Sequence, residues 1–379
     1  MKPVYLDTCA GTPLDPRVLD EMMPFFSDNF YNPSALYKGA RDTKLALETA
    51  RASVSRTIGA RPSEIIFTAG GTESANLAIK GVMDKYPGHE LIVSAVEHDA
   101  VLKPAGNYKH SVAPVSEKGL IDLQKLEKLI TDKTVLVSVM YANNEVGTVQ
   151  PIREIAQIID MIRKNRKVRS VKTPLYLHTD ACQAPQYLEI NVARLDVDMM
   201  TLNGGKIYGP KQSGILYMRA GVLIAPQILG GGQENGYRSG TENISACVGF
   251  AKSLELIMRN KQDSSRNITE LAKYFAHELE SRFGAIINGH QKLRLPNNVH
   301  ATFKGADNER MLFSLDSQGI YASMGSACSA SSEEPSHVLK AMGVSEEDAR
   351  SSLRFSLGRE TTKQEIDRTL QALETAIKA

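Results

Sequence analysis

A lysine preceded by two glycines is the first residue of this chain that suggests chemistry. In TLNGGKIYG (201–209) Lys206 follows the apolar run VDMMTL (197–202). Three uses fit it: contact with a phosphate, a covalent imine with a carbonyl-bearing cofactor, or a solvated place on a loop. A nucleotide-binding loop is excluded, because the GxxxxGK glycine spacing is absent and no Ser or Thr follows the lysine. Upstream, TAGGTESAN (68–76) sets Gly70 and Gly71 between an apolar run and Thr72 at the start of a helix-period segment. That arrangement presents backbone N–H groups to an anion, and a glycine turn with a Thr N-cap is the plainer reading. LHTDACQ (177–183) places Asp180 at the carboxyl end of an apolar run, where a carboxylate needs a cationic or hydrogen-bonding partner. Holding a pyridinium nitrogen protonated is one use and capping the next turn is another. Gln183, three residues on, can bond the same ring. Each motif alone is unspecific, but an anion site, a pyridinium partner and an imine-forming lysine together are what pyridoxal phosphate requires.

Two further residues stand out. Cys328 lies in SMGSACSASSEEPSH (323–337) among Gly, Ser and Ala with no apolar periodicity. This context predicts an accessible, mobile loop and a reactive thiol, unlike the usual buried cysteine. Cys9, Cys182 and Cys247 have apolar or strand-like neighbours and read as structural. Arg354 sits in the apolar run SSLRFSLGR (351–359). An arginine there grips a carboxylate bidentately, in a salt bridge or on a substrate, and the sequence leaves both open.

Elements must bring these residues together. Through residue 220, apolar β-rich runs (64–67, 91–96, 134–141, 174–180, 197–202, 214–218) alternate with helix-period segments at 73–86, 121–130 and 151–165. This predicts an α/β fold with a mostly parallel sheet flanked by helices, its ligands beyond the carboxyl ends of the strands. Near residue 250 the texture changes to a long helical segment (about 245–283), a strand at 297–303 and a final amphipathic stretch at 363–377. The expected division is a large domain over 15–255 and a smaller α+β domain from 1–14 plus 256–379. The basic run RKNRKVRSVK (163–172) reads as a solvated helix end.

Composition sets outer bounds. A chain of 379 residues with 42% hydrophobic content can build more than one core. Its net charge of +2 favours neither nucleic acid nor a membrane surface as partner. No apolar run is long enough to span a bilayer and no secretory signal is visible. Four scattered cysteines fit a reducing cytoplasm, and histidines without HxxxH or HExxH spacing give no support for a metal site.

The ordered series YLDTCAGTPLDP, NPSALY, GGTESANLAIKG, VEHDAVL, ANNEVGTVQP, TDACQ, GGKIYGPK, GGGQENGYRSGTEN, GSACSASSEEPSHVL and SSLRFSLGR resembles, end to end, the cysteine desulfurases of the class V aminotransferase group. These are fold type I pyridoxal-phosphate enzymes, and the likeness is to the housekeeping and nitrogen-fixation type. The resemblance implies conversion of L-cysteine to L-alanine, with sulfur passed to an enzyme cysteine as a persulfide and then to an acceptor protein, an iron–sulfur scaffold or a tRNA-thiolation protein. It implies that Lys206 binds the cofactor covalently and later moves the substrate Cα proton, and that His98 stacks on the ring. Asp180 pairs with the ring nitrogen, Gln183 with the ring hydroxyl, and Gly71 and Thr72 with the phosphate. Thr241 reaches the phosphate of the neighbouring subunit, which implies a homodimer. Asn144 touches cofactor and substrate, Asn32 and Arg354 hold the substrate carboxylate, and Cys328 is the nucleophile. A selenocysteine lyase or a cysteine β-lyase on the same scaffold is one alternative, and a non-catalytic relative serving as a binding or regulatory subunit is another.

The chain departs from the family pattern around its lysine. Asn203 stands where Ser or Thr is usual and Gly205 where His is usual, so one side-chain contact to the phosphate region is lost while Asn203 can still donate one. Tyr37 replaces a usual His and Cys182 a common Thr beside the ring. The basic helix–loop is about ten residues longer than in relatives, and the sequence ends at Ala379, soon after the final amphipathic stretch.

Overall fold

The computed structural model describes residues 2–325 and 335–377, apart from the side chains of 262–264. A seven-stranded sheet organises the larger part, in the order Ile65–Thr68, Gly214–Met218, Met199–Asn203, Tyr176–Asp180, Thr134–Ser138, Glu90–Ser94, His110–Ala113. Six of these run in the same direction, five of them paired in parallel, and Gly214–Met218 is antiparallel to both its neighbours. Three inner strands, Thr134–Ser138, Tyr176–Asp180 and Gly214–Met218, are buried along their whole length, which is why they read as continuous apolar runs.

Helices cover both faces. On one side Lys38–Ile58, Ile152–Val168 and the start of Ile244–Phe283 enclose a core with Val54, Ile155, Leu177 and Phe250. On the other, Gly71–Lys85 and Asp99–Ala105 pack Leu77, Ile79 and Val101 against Leu91, Leu136 and Leu216. Several elements differ from the sequence reading, among them helices Lys38–Ile58 and Asn308–Ser317, which it did not single out. His110–Ala113 is an additional edge strand, short and partly exposed, so it lacks the apolar run that marks its neighbours. Helix Asp99–Ala105 contains Pro104, which interrupts the helix pattern in the sequence but falls in its last turn.

The 40-residue helix Ile244–Phe283 starts at an Asn243 N-cap and ends at Gly284, whose left-handed φ of 62° suits glycine. Its first half belongs to the main core. Its second half packs Ile268, Phe275 and Leu279 into a separate core with Val299, Phe355 and Leu370. That core lies against the antiparallel sheet of Ile286–Ile287, Asn298–Thr302 and Ser352–Ser356. The first residues of the chain join this region: Val4–Tyr5 pairs with Ile320–Tyr321, and Asp7 bridges to Ser356.

The basic run 163–172 closes helix Ile152–Val168, and its arginines are engaged internally. Arg163 pairs with Asp160 and Asp198, Arg169 forks onto Asp132 at 2.7 Å, and Arg166 donates to the carbonyl oxygens of Thr131, Thr134, Thr173 and Pro174. Among the described residues, no helix is long and apolar enough to cross a membrane.

Candidate active site

Strand direction decides where a ligand can sit. The parallel strands and Ile65–Thr68 all end at one edge of the sheet, and a cavity of about 180 Å³ opens there. Gly71, Thr72, His98, Asn144, Asp180, Gln183, Asn203, Lys206 and Arg354 line it together. Asp180 is the last residue of its strand and is buried, and its Oδ1 accepts the Cys182 N–H at 2.9 Å. Gly70, at φ 127°, turns the chain from strand Ile65–Thr68 into helix Gly71–Lys85, whose first-turn N–H groups have no intrahelical acceptors.

Lys206 ends a short 3₁₀ turn, Gly204–Lys206, on which Asn203 serves as the cap by accepting the Gly205 N–H at 3.0 Å. The two glycines before the lysine are not equivalent. A Cβ on Gly204 would lie 2.1 Å from Ser213 Oγ, whereas one on Gly205 would meet nothing closer than 3.5 Å. Lys206 Nζ donates to the carbonyl oxygens of Cys9 and Ala10 at 2.9 and 2.7 Å, and Gln183 Nε2 donates to the Cys9 carbonyl at 3.0 Å. The N-terminal segment therefore forms one wall of the site. Sequence reasoning missed this wall because it contributes backbone carbonyl groups, which carry no residue signature.

His98 caps helix Asp99–Ala105, and its Nδ1 accepts the Ala100 N–H at 3.0 Å, so a neutral ring carries its proton on Nε2. Glu97 beside it is fully buried; burial first, and then the charge of Asp180, push its carboxyl well above the usual range. It is held protonated with Oε1 accepting the Met140 N–H. Glu97 was not foreseen; a carboxylate next to His98 in VEHDAVL was the available signal.

Cys9 and Cys182, expected to be structural, are both wall residues of the cavity. Cys182 follows the strand end by two residues and lies over Gly71, where an added Cβ would come within 2.7 Å of its Sγ. Burial and the neighbouring Asp180 push its thiol far up, so it stays protonated and is a poor nucleophile. Cys247 is buried elsewhere in the main core. Cys328 lies outside the described residues.

Two expected site residues are not in this cavity. Thr241 lines a separate pocket of about 200 Å³ with Phe67 and Arg238. Asn32 lies on an exposed stretch, its Oδ1 accepting the Ser34 N–H at 2.9 Å.

Arg354 projects from strand Ser352–Ser356 and is 1% exposed. It donates to Asp7 Oδ1 at 2.5 Å and to the Asn144 carbonyl at 3.2 Å, and its Nε has no hydrogen-bond partner.

This donor set fits pyridoxal phosphate. A bare-backbone helix start with Asn203 beside it suits the phosphate, the buried Asp180 carboxylate suits a ring nitrogen, and Lys206 is the amine within the same wall. Such a combination on a mostly parallel sheet defines an enzyme of the pyridoxal-phosphate class. The aminotransferase class-V family profile matches residues 4–369. A protein of Dictyoglomus turgidum named cysteine desulfurase IscS is 42% identical over 382 residues, covering 99% of this chain and 94% of that protein. A solved structure described as a NifS-like protein superposes with a TM-score of 0.90 at 34% identity, covering 98% of both chains. Another, described as SspA in complex with cysteine, gives 0.81 at 34% identity over 95% of this chain and 100% of that one. The chain belongs to the class-V aminotransferases and, within them, to the cysteine desulfurases, whose cofactor is pyridoxal 5′-phosphate.

Proposed function

We propose that this chain uses the cavity around Lys206 to convert L-cysteine to L-alanine, transferring the sulfur to Cys328 as a persulfide and then to an acceptor protein. The observation that carries this reading is the convergence of Lys206, Asp180, His98, Gln183, Asn144 and Arg354 on one small cavity at the sheet edge. The first five residues and the helix start at Gly71–Thr72 would hold pyridoxal phosphate. When bound, the cofactor supplies an electron sink that makes the substrate Cα proton acidic.

The protein residues then divide the remaining work. Arg354, with Asn144, binds the substrate carboxylate and so orients Cα; Asn32, which lies outside this chain's own cavity, takes no part in that grip. Lys206 Nζ takes the Cα proton and returns protons on the way to alanine. His98, whose Nδ1 accepts the Ala100 N–H, has Nε2 left to assist that transfer. The Cys328 thiolate attacks the substrate sulfur as a thiolate attacks a disulfide. The C–S bond breaks and a Cys328 S–S bond forms, so cysteine plus a thiol gives alanine plus a persulfide and no external oxidant is needed.

The remaining expectations belong to the same proposal. A homodimer is supported by the exposed apolar residues Phe26, Phe30, Leu36 and Tyr37 around Asn32, and by a Thr241 that lies outside its own chain's cavity. A division into parts 15–255 and 1–14 plus 256–379 follows the two cores, and a cytoplasmic setting and an iron–sulfur or tRNA-thiolation acceptor complete the reading. Purified protein incubated with L-cysteine is expected to release equal amounts of alanine and sulfide in the presence of a reductant. The Cys328→Ala variant is expected to lose this activity while retaining the cofactor's absorption band. Full desulfurase activity in that variant would refute the assigned nucleophile, and no alanine from the wild type would refute the function.

A further inference from the structure

The carboxylate-binding arginine already holds a carboxylate. Arg354 donates to Asp7 Oδ1 at 2.5 Å, and Asp7 comes from the opposite end of the sequence. The Asp7 side chain is 17% exposed and that of Arg354 is 1% exposed, so the pair lies in a medium where charge is weakly screened. Nη1 of the same guanidinium is held by the Asn144 carbonyl, and Nε is buried without a partner. Asp7 is fixed in turn by the Asp7–Ser356 bridge and by Tyr5, whose hydroxyl donates to the Asp7 carbonyl at 2.9 Å. Among the described residues, the neighbouring strand itself adds no cation: His300, the register partner of Arg354, is pushed down to about 3 by burial and then by the charges of Arg354 and Arg294, and stays neutral.

We propose that Asp7 is a specificity-determining counter-ion: by neutralising Arg354 in advance, it limits the site to amino acids with one anionic group. This inference rests on the assignment of Arg354 to the substrate carboxylate. With Asp7 in place, the pair has no net charge before substrate arrives and a single negative charge once the α-carboxylate is bound. A second anion on the substrate side chain then enters a site that is already negative. Without Asp7, the full guanidinium charge would serve both anions. The arrangement weakens binding of cysteine itself and in exchange rejects acidic analogues.

Ligand binding tests this directly on the holoenzyme, by thermal shift and by competition against L-cysteine turnover. The probes are L-alanine, with one anionic group, and L-cysteine sulfinate, with two. Wild type is expected to bind L-alanine about tenfold more tightly than the sulfinate, as repulsion between close like charges would give. Asp7→Asn, an isosteric neutral change, is expected to tighten L-alanine about fivefold and the sulfinate by more, lowering KM for L-cysteine with kcat little changed. Asp7→Glu is expected to restore the wild-type discrimination. A wild type that binds both probes equally would overturn the proposal without any variant, and so would an Asp7→Asn protein that loses affinity for both in parallel. If wild type releases no alanine from L-cysteine, the functional reading fails instead, and the thermal shifts still report on Asp7.

Discussion

Arg354 shows what a single side chain must satisfy in this site. Its planar fork holds Asp7 and the Asn144 carbonyl at once, a geometry that a lysine ammonium cannot reproduce. Arg354→Lys is therefore expected to lower kcat/KM for L-cysteine by one to two orders of magnitude, about 1.5–3 kcal/mol, mostly through KM, as steady-state kinetics will show. The glycines before Lys206 make a second contrast. Gly204→Ala would press a methyl into Ser213 Oγ, Pro210 and Phe250 and is expected to destabilise the fold by about 1–3 kcal/mol. Gly205→Ala meets only ordinary contacts and is expected to leave stability and cofactor retention unchanged, measured by melting temperature and absorption spectrum. Both glycines look alike in TLNGGKIYG. Lys206 and Asp180 could be singled out in the sequence because they lie just after and at the end of strands that carry their own apolar signal. It could not reveal which glycine is packed, since that depends on Ser213 across the neighbouring strand.

At the level of elements, the helix Ile244–Phe283 carries the greatest structural consequence. About 60 Å long at 1.5 Å per residue, it contributes Phe250 to one core and Phe275 to the other. Phe275 meets Phe355 edge-on, ring centroids 5.0 Å apart, directly beside Arg354 in the sequence. Phe275→Ala is expected to cost about 3–5 kcal/mol in denaturant unfolding and to raise KM as well, because strand Ser352–Ser356 loses its backing. Helices Gly71–Lys85, Ile152–Val168 and Ile244–Phe283 and the buried strands were readable from periodicity, whereas helix Lys38–Ile58 was not singled out. The mostly parallel run of the sheet was readable too, but the direction of Gly214–Met218 was not: it is as apolar as its parallel neighbours, and only its connection through the short Lys206 turn makes it antiparallel.

For the molecule as a whole, buried ionisable groups set the response to pH. His178, wedged between Ser138 and Thr201, is pushed down to about 4 by burial, and His300 to about 3. In the unfolded chain both take protons near pH 6.5, and the folded chain refuses them. Stability from these groups is therefore fully present above pH 6.5 and falls as pH drops toward 4, by about 1.4 kcal/mol per pH unit for each histidine. Glu97 has the opposite sign: its folded carboxyl keeps a proton that the unfolded one releases, so it costs stability as pH rises above the ordinary glutamate range. Melting temperatures are expected to fall between pH 6.5 and 5 in wild type. Glu97→Gln, which mimics the protonated acid, is expected to raise the melting temperature at pH 8 and leave it little changed at pH 4.5.

The N-terminal wall of the site has a consequence in time. Val4 and Leu6 bond to Gly319 and Tyr321, Asp7 meets a partner 347 residues away, and the carbonyl groups of Cys9 and Ala10 meet Lys206. On a ribosome adding roughly 5–20 residues per second, Asp7 emerges about 20–70 s before Arg354 exists. The earliest residues translated must wait for the latest before the pocket can close. A nascent or prematurely terminated chain can thus complete the large sheet, yet it lacks the Asp7–Arg354 pair that the proposed substrate grip requires.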